Sequence, residues 1–310
     1  MRENITVKKI AQHGKTLMQK AKLHHHFFGN HSLYINALYL AYFALNLPHE
    51  YHNSLYLNKI ITEQEAEKIL KLYERRITER VPVEYITQEA IYSGHKFYVN
   101  NHVLVPRSLM NTQFSDFLNK VRWENYRVLD LCTGSGCIGI TLALMNPHLN
   151  VDLADISPEA LEVAETNIKN YNLESRVKTV QTNLFENIKN KYDLIISNPP
   201  YVSEKEYRAQ PLEVKNEPKI ALLAGVDGAD LVNKIITQSK SYLNPEGLLI
   251  CEVGYACAKI LKNRYSHLPI EWRQARSPAK REPILDKVIR WSGLLDSLFL
   301  CNANGLPFQK

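Results

Sequence analysis

The sequence lacks long hydrophobic runs, internal repeats and low-complexity tracts, and these absences exclude several classes of protein. No apolar stretch approaches the ~20 residues that a membrane-spanning helix needs. Residues 1–22 are polar and basic and do not contain the apolar core of a secretion signal. We therefore expect a cytoplasmic protein that does not contact membranes.

Cysteine is also scarce, with five residues in the chain: Cys132, Cys137, Cys251, Cys257 and Cys301. They form no Cys-x-x-Cys pair and show no spacing that is typical of a metal site. The pattern indicates reduced thiols in a cytosolic protein.

Other arrangements that would carry chemistry are missing as well. His24, His25, His26 and His31 stand close together in the sequence. Consecutive helical side chains point in different directions, however, and no carboxylate or cysteine accompanies these histidines, so we expect no metal. No serine or cysteine occurs with the base and orienting acid that an activated nucleophile needs.

Length and charge set weaker limits. A chain of 310 residues predicts two domains at roughly 100–200 residues each. The net charge is +6, and much of the excess lies near the two ends of the chain. A basic balance is compatible with an RNA-rich partner, and equally with a solvated basic surface.

Residues 1–85 are predicted to be helical. Apolar positions within 33–47 have helical spacing. Thr62 and Glu65 form a capping box that begins a further helix. Three arginines lie near its end, where cations suit the helix dipole: Arg75, Arg76 and Arg80.

Beyond these helices the pattern changes to strands. Residues 90–105 are rich in aromatic and β-branched side chains, and turn signals at Ser93-Gly94 and Asn100-Asn101 indicate a β-hairpin or two short strands. From about residue 125 onward, strands and helices alternate. The predicted strands are 127–132, 151–155, 177–181, 192–197 and 247–253, with helices at 137–145, from 157 and at 229–243. This order predicts an α/β fold with a doubly wound, mostly parallel sheet that binds ligands at the C-terminal ends of its strands.

A glycine-containing loop follows the first of these strands. Gly134 and Gly136 permit a tight turn and the close approach of a ligand to the backbone. Asp155, roughly 20 residues further on at the end of the second strand, suits the two hydroxyls of a ribose. Together with Gly139 the loop also spells the Gly-x-Gly-x-x-Gly pattern of NAD-binding proteins. The glycine loop alone therefore does not identify the nucleotide, and the prediction of the cofactor depends on the segment after the fourth strand.

That segment is Asn198-Pro199-Pro200-Tyr201. The prolines fix φ and remove two backbone donors, which leaves the Asn198 side-chain oxygen and the Pro199 carbonyl as neighbouring acceptors for a planar NH₂ group. Tyr201 offers an aromatic face to a planar amide or base. Holding both hydrogens of an amide favours the pyramidal nitrogen that forms as a methyl group arrives from a sulfonium. The motif predicts N-methylation, and a purely structural Asn-Pro-Pro turn is the alternative.

Further short motifs are spread over residues 25–272. They are Arg75-Arg76-Ile77, Glu79-Arg80-Val81-Pro82, Phe97-Tyr98-Val99, Val103-Leu104-Val105-Pro106-Arg107-Ser108, the 130–136 loop with Cys137-Ile138, Asp155-Ile156-Ser157-Pro158, Asn216-Glu217-Pro218 and Cys251-Glu252-Val253-Gly254. With these motifs the chain resembles the protein-(glutamine-N(5)) methyltransferases, a family of class I S-adenosylmethionine-dependent enzymes. Within that family it is most similar to the branch that acts on ribosomal protein L-three.

The resemblance implies a Rossmann-like class I methyltransferase that methylates the side-chain amide of a glutamine in a protein. It implies that S-adenosylmethionine lies against Asp130, Thr133, Gly134, Gly136, Asp155, Asn183 and Asn198. Asn198, Pro199 and Tyr201 would be catalytic, and Arg107, Pro199, Pro200 and Tyr201 would bind the substrate. Ribosomal protein L-three, free or in an assembling large subunit, is the expected partner, with RNA contacted only through the ribosome.

The resemblance also predicts how the chain is divided. Residues 1–88 would be a helical domain that recognises the substrate, 89–108 a β-hairpin linker, and 109–272 the methyltransferase domain. Residues 273–310 depart from the family pattern, so we expect a divergent tail that does not rebuild the usual terminal hairpin, although 294–301 could supply an edge strand. Smaller departures are Asn183, where the family has an acid, and Leu109 and Thr112 in the loop after Ser108.

Three alternative functions remain open at this point. A release-factor glutamine methyltransferase would perform the same chemistry on another protein. An adenine-N6 nucleic-acid methyltransferase uses a similar Asn/Asp-Pro-Pro-Tyr motif on a base that it must extrude. A methyltransferase-like binding module would keep the fold without activity. Three acidic residues after the motif are expected in a solvated loop rather than in the cleft: Glu213, Glu217 and Asp227.

Overall fold

The computed structural model describes residues 4–23, 33–48, 54–110, 126–268, 270–274 and 297–302. The chain divides into two compact units. The helical unit consists of Met1–Glu89 and Pro211–Asn216, and the sheet unit consists of Ala90–Gln210 and Glu217–Lys310. The functions that we assigned to these segments stay predictions. His24, His25, His26, His31 and Thr112 lie outside the described residues.

The helical unit is built on α1 (Val7–Lys20), α2 (Leu33–Ala44), α3 (Glu63–Glu79) and α4 (Val83–Thr87). The predicted capping box of α3 is confirmed: the Glu65 backbone N–H donates to Thr62 Oγ1 at 3.1 Å, and the Thr62 N–H donates to Glu65 Oε2 at 2.8 Å. Tyr73 of α3 is fully buried, and its hydroxyl donates to the Ala37 carbonyl at 2.9 Å. A Cβ on Gly14 of α1 would lie 2.4 Å from the Tyr73 ring, so this glycine allows the two helices to pack closely.

Arg76 lies in the last turn of α3, as expected, but it is also completely buried. Burial lowers the pKa of its guanidinium, and the carboxylates of Glu213 and Glu84 oppose that shift. Glu213 is itself buried and accepts a hydrogen bond from Arg80 at 3.1 Å. The helical unit therefore contains a group of two arginines and two glutamates, which we call the Arg76 cluster; Arg76, Glu84 and Glu213 are buried, and Arg80 is partly exposed.

The sheet unit begins with a hairpin and continues as a seven-stranded sheet. The hairpin strands are β1 (Glu89–Tyr92) and β2 (His95–Tyr98), and positive φ at Ser93 and Gly94 forms the predicted turn. The sheet strands are β3 (Arg127–Leu131), β4 (Asn150–Asp155), β5 (Val177–Gln181), β6 (Tyr192–Ser197), β7 (Leu243–Val253), β8 (Glu271–Gln274) and β9 (Ser297–Asn302). Their spatial order is β5-β4-β3-β6-β7-β9-β8, and the first five are parallel. The predicted doubly wound, mostly parallel sheet is confirmed.

Helices connect the strands of this sheet. They are α5 (Cys137–Met145), α6 (Pro158–Asn170), α7 (Glu204–Ala209), α9 (Asp230–Ser239) and α10 (Tyr255–Arg264), while α8 (Leu212–Lys215) belongs to the helical unit. Ser157 caps α6 by accepting the Ala160 N–H at 3.1 Å, and Pro158 occupies the first turn. None of the helices in the described parts of the chain is long and apolar enough to cross a membrane.

Two expectations for this unit were wrong. The helix predicted at 229–243 ends at Ser239, and β7 begins at Leu243 rather than at 247, because the chain stays extended through a bend with positive φ at Glu246. The terminal hairpin is rebuilt: β9 pairs antiparallel with both β7 and β8. Residues 298–301 are all apolar, which is typical of a strand with neighbours on both sides. This apolar run favours a strand even though the residues before it depart from the family pattern.

Candidate active site

The sheet reverses its strand order between β3 and β6. From β3 the chain proceeds outward through β4 to β5, and it then returns to place β6 on the other side of β3. Leu131 and Ser197 are paired at the C-terminal ends of these neighbouring strands, and Ser197 Oγ donates to the Leu131 carbonyl at 2.6 Å. In open α/β sheets the crevice at such a reversal is where ligands bind.

A cavity of about 240 Å³ opens at this place. Its wall comes from the loops after β3, β4, β5 and β6 and from residues 102–108. Seven of the residues that we expected at the site line it: Arg107, Thr133, Gly134, Asp155, Asn183, Asn198 and Pro200. Four others do not line it: Asp130, Gly136, Pro199 and Tyr201.

The glycine loop is held in a tight turn. The Gly136 N–H donates to the Thr133 carbonyl at 3.0 Å, and both Gly134 and Gly136 have positive φ, at 56° and 80°. A Cβ on Gly139 would lie 2.4 Å from Leu153 and 3.0 Å from an Asp130 oxygen. Gly139 therefore serves helix-against-strand packing, and this steric need accounts for the third glycine of the NAD-like spelling.

Asp130 acts beneath the loop rather than on the cavity wall. It is fully buried, and its Oδ2 accepts the Thr133 hydroxyl at 2.6 Å and the Gly139 N–H at 2.9 Å. Its Oδ1 has no hydrogen-bond partner within the described part of the chain. Burial raises the pKa of the Asp130 carboxyl to about 7. Asp130 thus shapes the loop from below.

The Asp130 pKa predicts how stability depends on pH. Because the folded value exceeds the unfolded one of ~4, the folded state binds more protons at intermediate pH. Its contribution to stability is complete below about pH 4 and is lost as the pH rises through about 7. We expect the Tm of ligand-free protein to fall by several degrees over this interval, and Asp130→Asn to remove most of that fall. Thermal melts would test this, with exposed Glu162→Gln as control; an unchanged slope in Asp130→Asn would contradict it.

Asp155 ends β4 with its carboxylate anchored on both oxygens. Oδ2 accepts the Gly134 N–H at 2.9 Å, and Oδ1 accepts the Ser157 N–H at 3.1 Å. Burial raises the pKa of this carboxyl, and the backbone hydrogen bonds oppose the shift. A carboxylate offers about four acceptor positions, so Asp155 can also accept two hydroxyl groups from a ligand in the cavity.

Asn183 lies beside the cavity in the loop after β5. It is exposed, and its Nδ2 donates to Glu186 Oε1 at 2.8 Å. Its side-chain oxygen remains an acceptor beside the cavity. The amide therefore presents hydrogen-bonding capacity at a position where the family resemblance led us to expect a carboxylate.

The Asn198-Pro199-Pro200-Tyr201 motif directly follows β6. Asn198 and Pro200 line the cavity, whereas Pro199 is buried and Tyr201 packs against the core of the sheet unit. The chain just after the motif is fastened, since the Val202 N–H donates to the Leu222 carbonyl at 2.9 Å. Gly228 passes so close that a Cβ there would lie 2.4 Å from the Tyr201 carbonyl oxygen. The motif is therefore held at both ends.

Sequence reasoning missed one residue of this region. Asn167 of α6 is fully buried and forms hydrogen bonds with both backbone polar groups of Tyr98. Its Oδ1 accepts the Tyr98 backbone N–H at 2.7 Å, and its Nδ2 donates to the Tyr98 backbone carbonyl at 3.0 Å. The same Nδ2 donates to the Ser135 carbonyl at 2.9 Å. Asn167 thus ties the hairpin to the glycine loop. The available signal was an asparagine on the apolar face of an amphipathic helix.

Two of the three acidic residues expected in a solvated loop are buried instead. Glu213 belongs to the Arg76 cluster. Glu217 accepts hydrogen bonds from Arg107 and from the Val105 N–H, the latter at 3.0 Å. The solvated-loop prediction is wrong for both, because each carboxylate has an arginine partner far away in the sequence.

Segment 103–109 is also held from a second side. Glu252 at the end of β7 is buried, and its Oε2 accepts the Ser108 hydroxyl at 2.6 Å and the Leu109 N–H at 3.0 Å. This pairing involves Leu109, where the sequence departs from the family, so the departure leaves the backbone contact in place. Glu217 and Glu252 together fix the part of the wall that carries Arg107.

Known proteins share both the sequence and the fold. The family model of the methyltransferase small domain matches residues 86–213. The chain is 39% identical over 249 residues to the ribosomal protein uL3 glutamine methyltransferase of Neisseria gonorrhoeae, covering 79% of this chain and 82% of the relative. The protein of the same name from Neisseria meningitidis serogroup B is 37% identical over 277 residues, covering 87% and 89%.

Solved structures agree on the fold. The hMettl16 catalytic domain in complex with MAT2A 3'UTR hairpin 1 matches with a TM-score of 0.50 at 17% identity, covering 84% of this chain and 90% of that one. At this identity the likeness concerns the fold alone. The sequence relatives extend over most of both chains, and they decide the family. The chain belongs to the family of ribosomal protein uL3 glutamine methyltransferases.

Proposed function

We propose that this protein transfers the methyl group of S-adenosylmethionine to the side-chain amide nitrogen of a glutamine in ribosomal protein uL3. The observation that carries the proposal is the position of Asn198 and Pro200 on one cavity with the glycine loop and Asp155. The name of the relatives supports the choice of substrate. We propose a cytoplasmic location, where an assembling ribosome would meet the enzyme.

The residues of the cavity suit S-adenosylmethionine. Asp155 offers acceptors for a ribose, and Asn183 offers a side-chain amide beside it. A Cβ on Gly134 would meet nothing within 4 Å, so the loop leaves open space where a ligand can approach the backbone. When bound, the cofactor supplies an electrophilic methyl group on a sulfonium.

The chain's own contribution to the reaction is to hold the amide. The Asn198 side-chain oxygen, on the cavity wall, accepts one amide hydrogen. We assign the second hydrogen to the Pro199 carbonyl, although the Pro199 residue is buried and does not line the cavity. Holding both hydrogens turns the nitrogen lone pair toward the methyl group. These bonds strengthen as the nitrogen becomes pyramidal and gains positive charge, so they favour the transition state over the ground state. The charged nitrogen then releases one of its two hydrogens to water as a proton, which leaves a neutral N-methyl amide. The fastened chain around Tyr201 and Val202 keeps the acceptors in place, which limits the entropy lost on reaching that state.

We further propose that the helical unit recognises the substrate. The described residues of 4–61 contain no acidic side chain, and α1 exposes Lys8, Lys9 and Lys20. Such a basic face is suited to the RNA of an assembling large subunit, because Lys side chains bind phosphates through charge. Contact with RNA would then occur through the ribosomal particle that carries uL3.

Asp155 provides a direct check on the cofactor. We expect Asp155→Asn to weaken S-adenosylmethionine binding by roughly 10–100-fold, because charge-assisted hydrogen bonds contribute ~1.5–3 kcal/mol each. Isothermal titration with Asp152→Asn on the same strand as control would measure it. Unchanged affinity, or tighter binding of NAD than of S-adenosylmethionine, would contradict the cofactor assignment.

The substrate is tested with radiolabelled S-adenosylmethionine and three acceptors: undermethylated uL3, a release factor and DNA. The proposal expects label in uL3. Label confined to the release factor would move the enzyme to the sister branch, and label confined to DNA would replace amide by adenine methylation. Cofactor binding without transfer to any acceptor would indicate a binding module.

A further inference from the structure

The charge of the cavity wall points to a determinant of specificity. Among the described residues that line the cavity, Arg107 is the single arginine or lysine. A positive charge beside the acceptor site would attract carboxylates and phosphates, whereas the amide that the proposed function requires is neutral. The partner of Arg107 therefore matters for the choice of substrate.

That partner is Glu217, which is not part of the wall. Arg107 Nη1 donates to Glu217 Oε1 at 2.9 Å and to Oε2 at 2.8 Å. The Glu217 side chain is fully buried, and the Arg107 side chain retains 18% exposure. Glu217 Oε2 also accepts the Val105 N–H at 3.0 Å. The carboxylate thus holds both the backbone and the guanidinium of one stretch of wall.

A neutral amide oxygen could also accept the Val105 N–H, through a weaker hydrogen bond, so backbone anchoring alone does not require a buried carboxylate. Burying a charge is costly unless a counter-charge accompanies it. In a partly buried environment the two opposite charges attract each other strongly. Their electric fields largely cancel at positions that are further away than the distance between the two charges. An anionic group in the cavity therefore meets a guanidinium whose charge is already neutralised.

We propose that Glu217 determines specificity for a neutral amide by neutralising Arg107. Glu217 acts through Arg107 and is therefore a positioning residue. Its carboxylate holds the Arg107 guanidinium in place in the cavity wall and neutralises its positive charge. A glutamine then enters without competition from glutamate side chains or phosphate groups. The proposal rests on the proposed function, and it assigns Arg107 a place in the wall rather than a direct charge contact with the substrate.

The test compares two forms of uL3 that differ at the acceptor glutamine, once mass spectrometry has located it. The glutamine form is the substrate, and a form with glutamate in its place is the competitive inhibitor. Glu217→Gln keeps an oxygen for the Val105 N–H and removes the negative charge. We expect the inhibition constant of the glutamate form to fall about tenfold relative to wild type, and that gain to shrink as salt is raised. The KM for the glutamine form is not expected to fall.

Glu213→Gln is the matched control, because it makes the same change in a buried arginine pair of the helical unit. It is expected to leave the ratio of inhibition constant to KM as in wild type. S-adenosylmethionine titration of each variant separates an effect on the cofactor from an effect on the substrate. A wild-type ratio in folded, cofactor-binding Glu217→Gln would overturn the proposal, as would an equal shift in Glu213→Gln.

A second variant tests the proposal if Glu217→Gln does not fold. Arg107→Gln removes the positive charge that opposes Glu217 on this stretch of wall, so we expect about tenfold weaker inhibition by the glutamate form; unchanged inhibition would overturn the proposal. The proposed function and the role of Glu217 fail on different results. If wild-type protein transfers no methyl group to uL3, the proposed function is wrong. If it does transfer the methyl group but the variants keep the wild-type ratio of inhibition constant to KM, only the role of Glu217 is wrong.

Discussion

Asn198→Ala is expected to remove most of the methyl transfer while S-adenosylmethionine still binds. The substitution removes one of the two proposed acceptors of the amide hydrogens, and we expect the loss to fall on the transition state. Removing a comparable pre-organised hydrogen-bonding group from an active site lowers kcat by roughly 10²–10³-fold. Cofactor affinity is expected to change far less, because Asp155 and the glycine loop line the same cavity and are proposed to make their own contacts with the cofactor. Single-turnover transfer and calorimetric titration measure the two quantities separately.

The matched control for Asn198 is Asn150→Ala. Asn150 is an exposed asparagine at the first residue of β4, the strand end opposite to the cavity. It is expected to transfer methyl groups at the wild-type rate. Equal losses of transfer and cofactor binding in Asn198→Ala would contradict the role given to this residue, since they would indicate a collapsed cavity instead of a missing acceptor.

Arg76→Met is expected to destabilise the helical unit by ~3–5 kcal/mol. Arg76 is completely buried, and the carboxylates of Glu213 and Glu84 act on it. Methionine fills much of the volume but leaves these carboxylates without one of their cations, and breaking a buried pair on one side carries a cost of this size. Denaturant unfolding followed by circular dichroism measures the change.

Arg75→Met is the control for Arg76. Arg75 is half-exposed and pairs with Glu79 one turn away at 3.0 Å, a kind of contact that contributes ~0.3–0.5 kcal/mol. Adding Glu213→Gln to Arg76→Met is expected to recover part of the loss, because one buried charge then disappears. Equal stabilities for the Arg75 and Arg76 variants would show that the Arg76 cluster contributes no more than a surface pair.

Local patterns of the sequence predicted most of the parallel sheet. The strands β5 and β6 and the helix α5 have the predicted bounds, because their apolar periodicity and their flanking turn residues agree. The positions of Asp155 and Asn198 follow from the same logic. The C-terminal ends of parallel strands meet at one edge, so residues just after β4 and β6 converge there.

Pairs that are distant along the chain were beyond such reasoning. Glu217 and Arg107 are 110 residues apart, and Asn167 and Tyr98 are 69 apart. A local window around Glu217 shows a polar loop, and only tertiary packing reveals that its carboxylate is buried against a guanidinium. The prediction for residues 297–302 was wrong for a similar reason. Their strand is identified by its pairing with β7 and β8 and not by a hairpin pattern in the sequence.

The motif also carried less information than its companions did. Asn198-Pro199-Pro200-Tyr201 fits any planar amine, and the Gly139 spelling fits NAD as well as other nucleotides. The packing of Gly139 against Leu153 is equally what an NAD-binding fingerprint requires, so the loop alone leaves the second ambiguity open. The first one is reduced by the sequence relatives, which extend over most of the chain.

The position of the transferred methyl group distinguishes glutamine methylation from the alternatives. Wild-type protein is incubated with trideuteromethyl-labelled S-adenosylmethionine and undermethylated uL3, and peptide fragments of uL3 are sequenced by tandem mass spectrometry. We expect a single labelled methyl group on the side-chain amide of one glutamine. A label on any other side chain or on the backbone, or its absence from uL3 while the protein binds the cofactor, would contradict it.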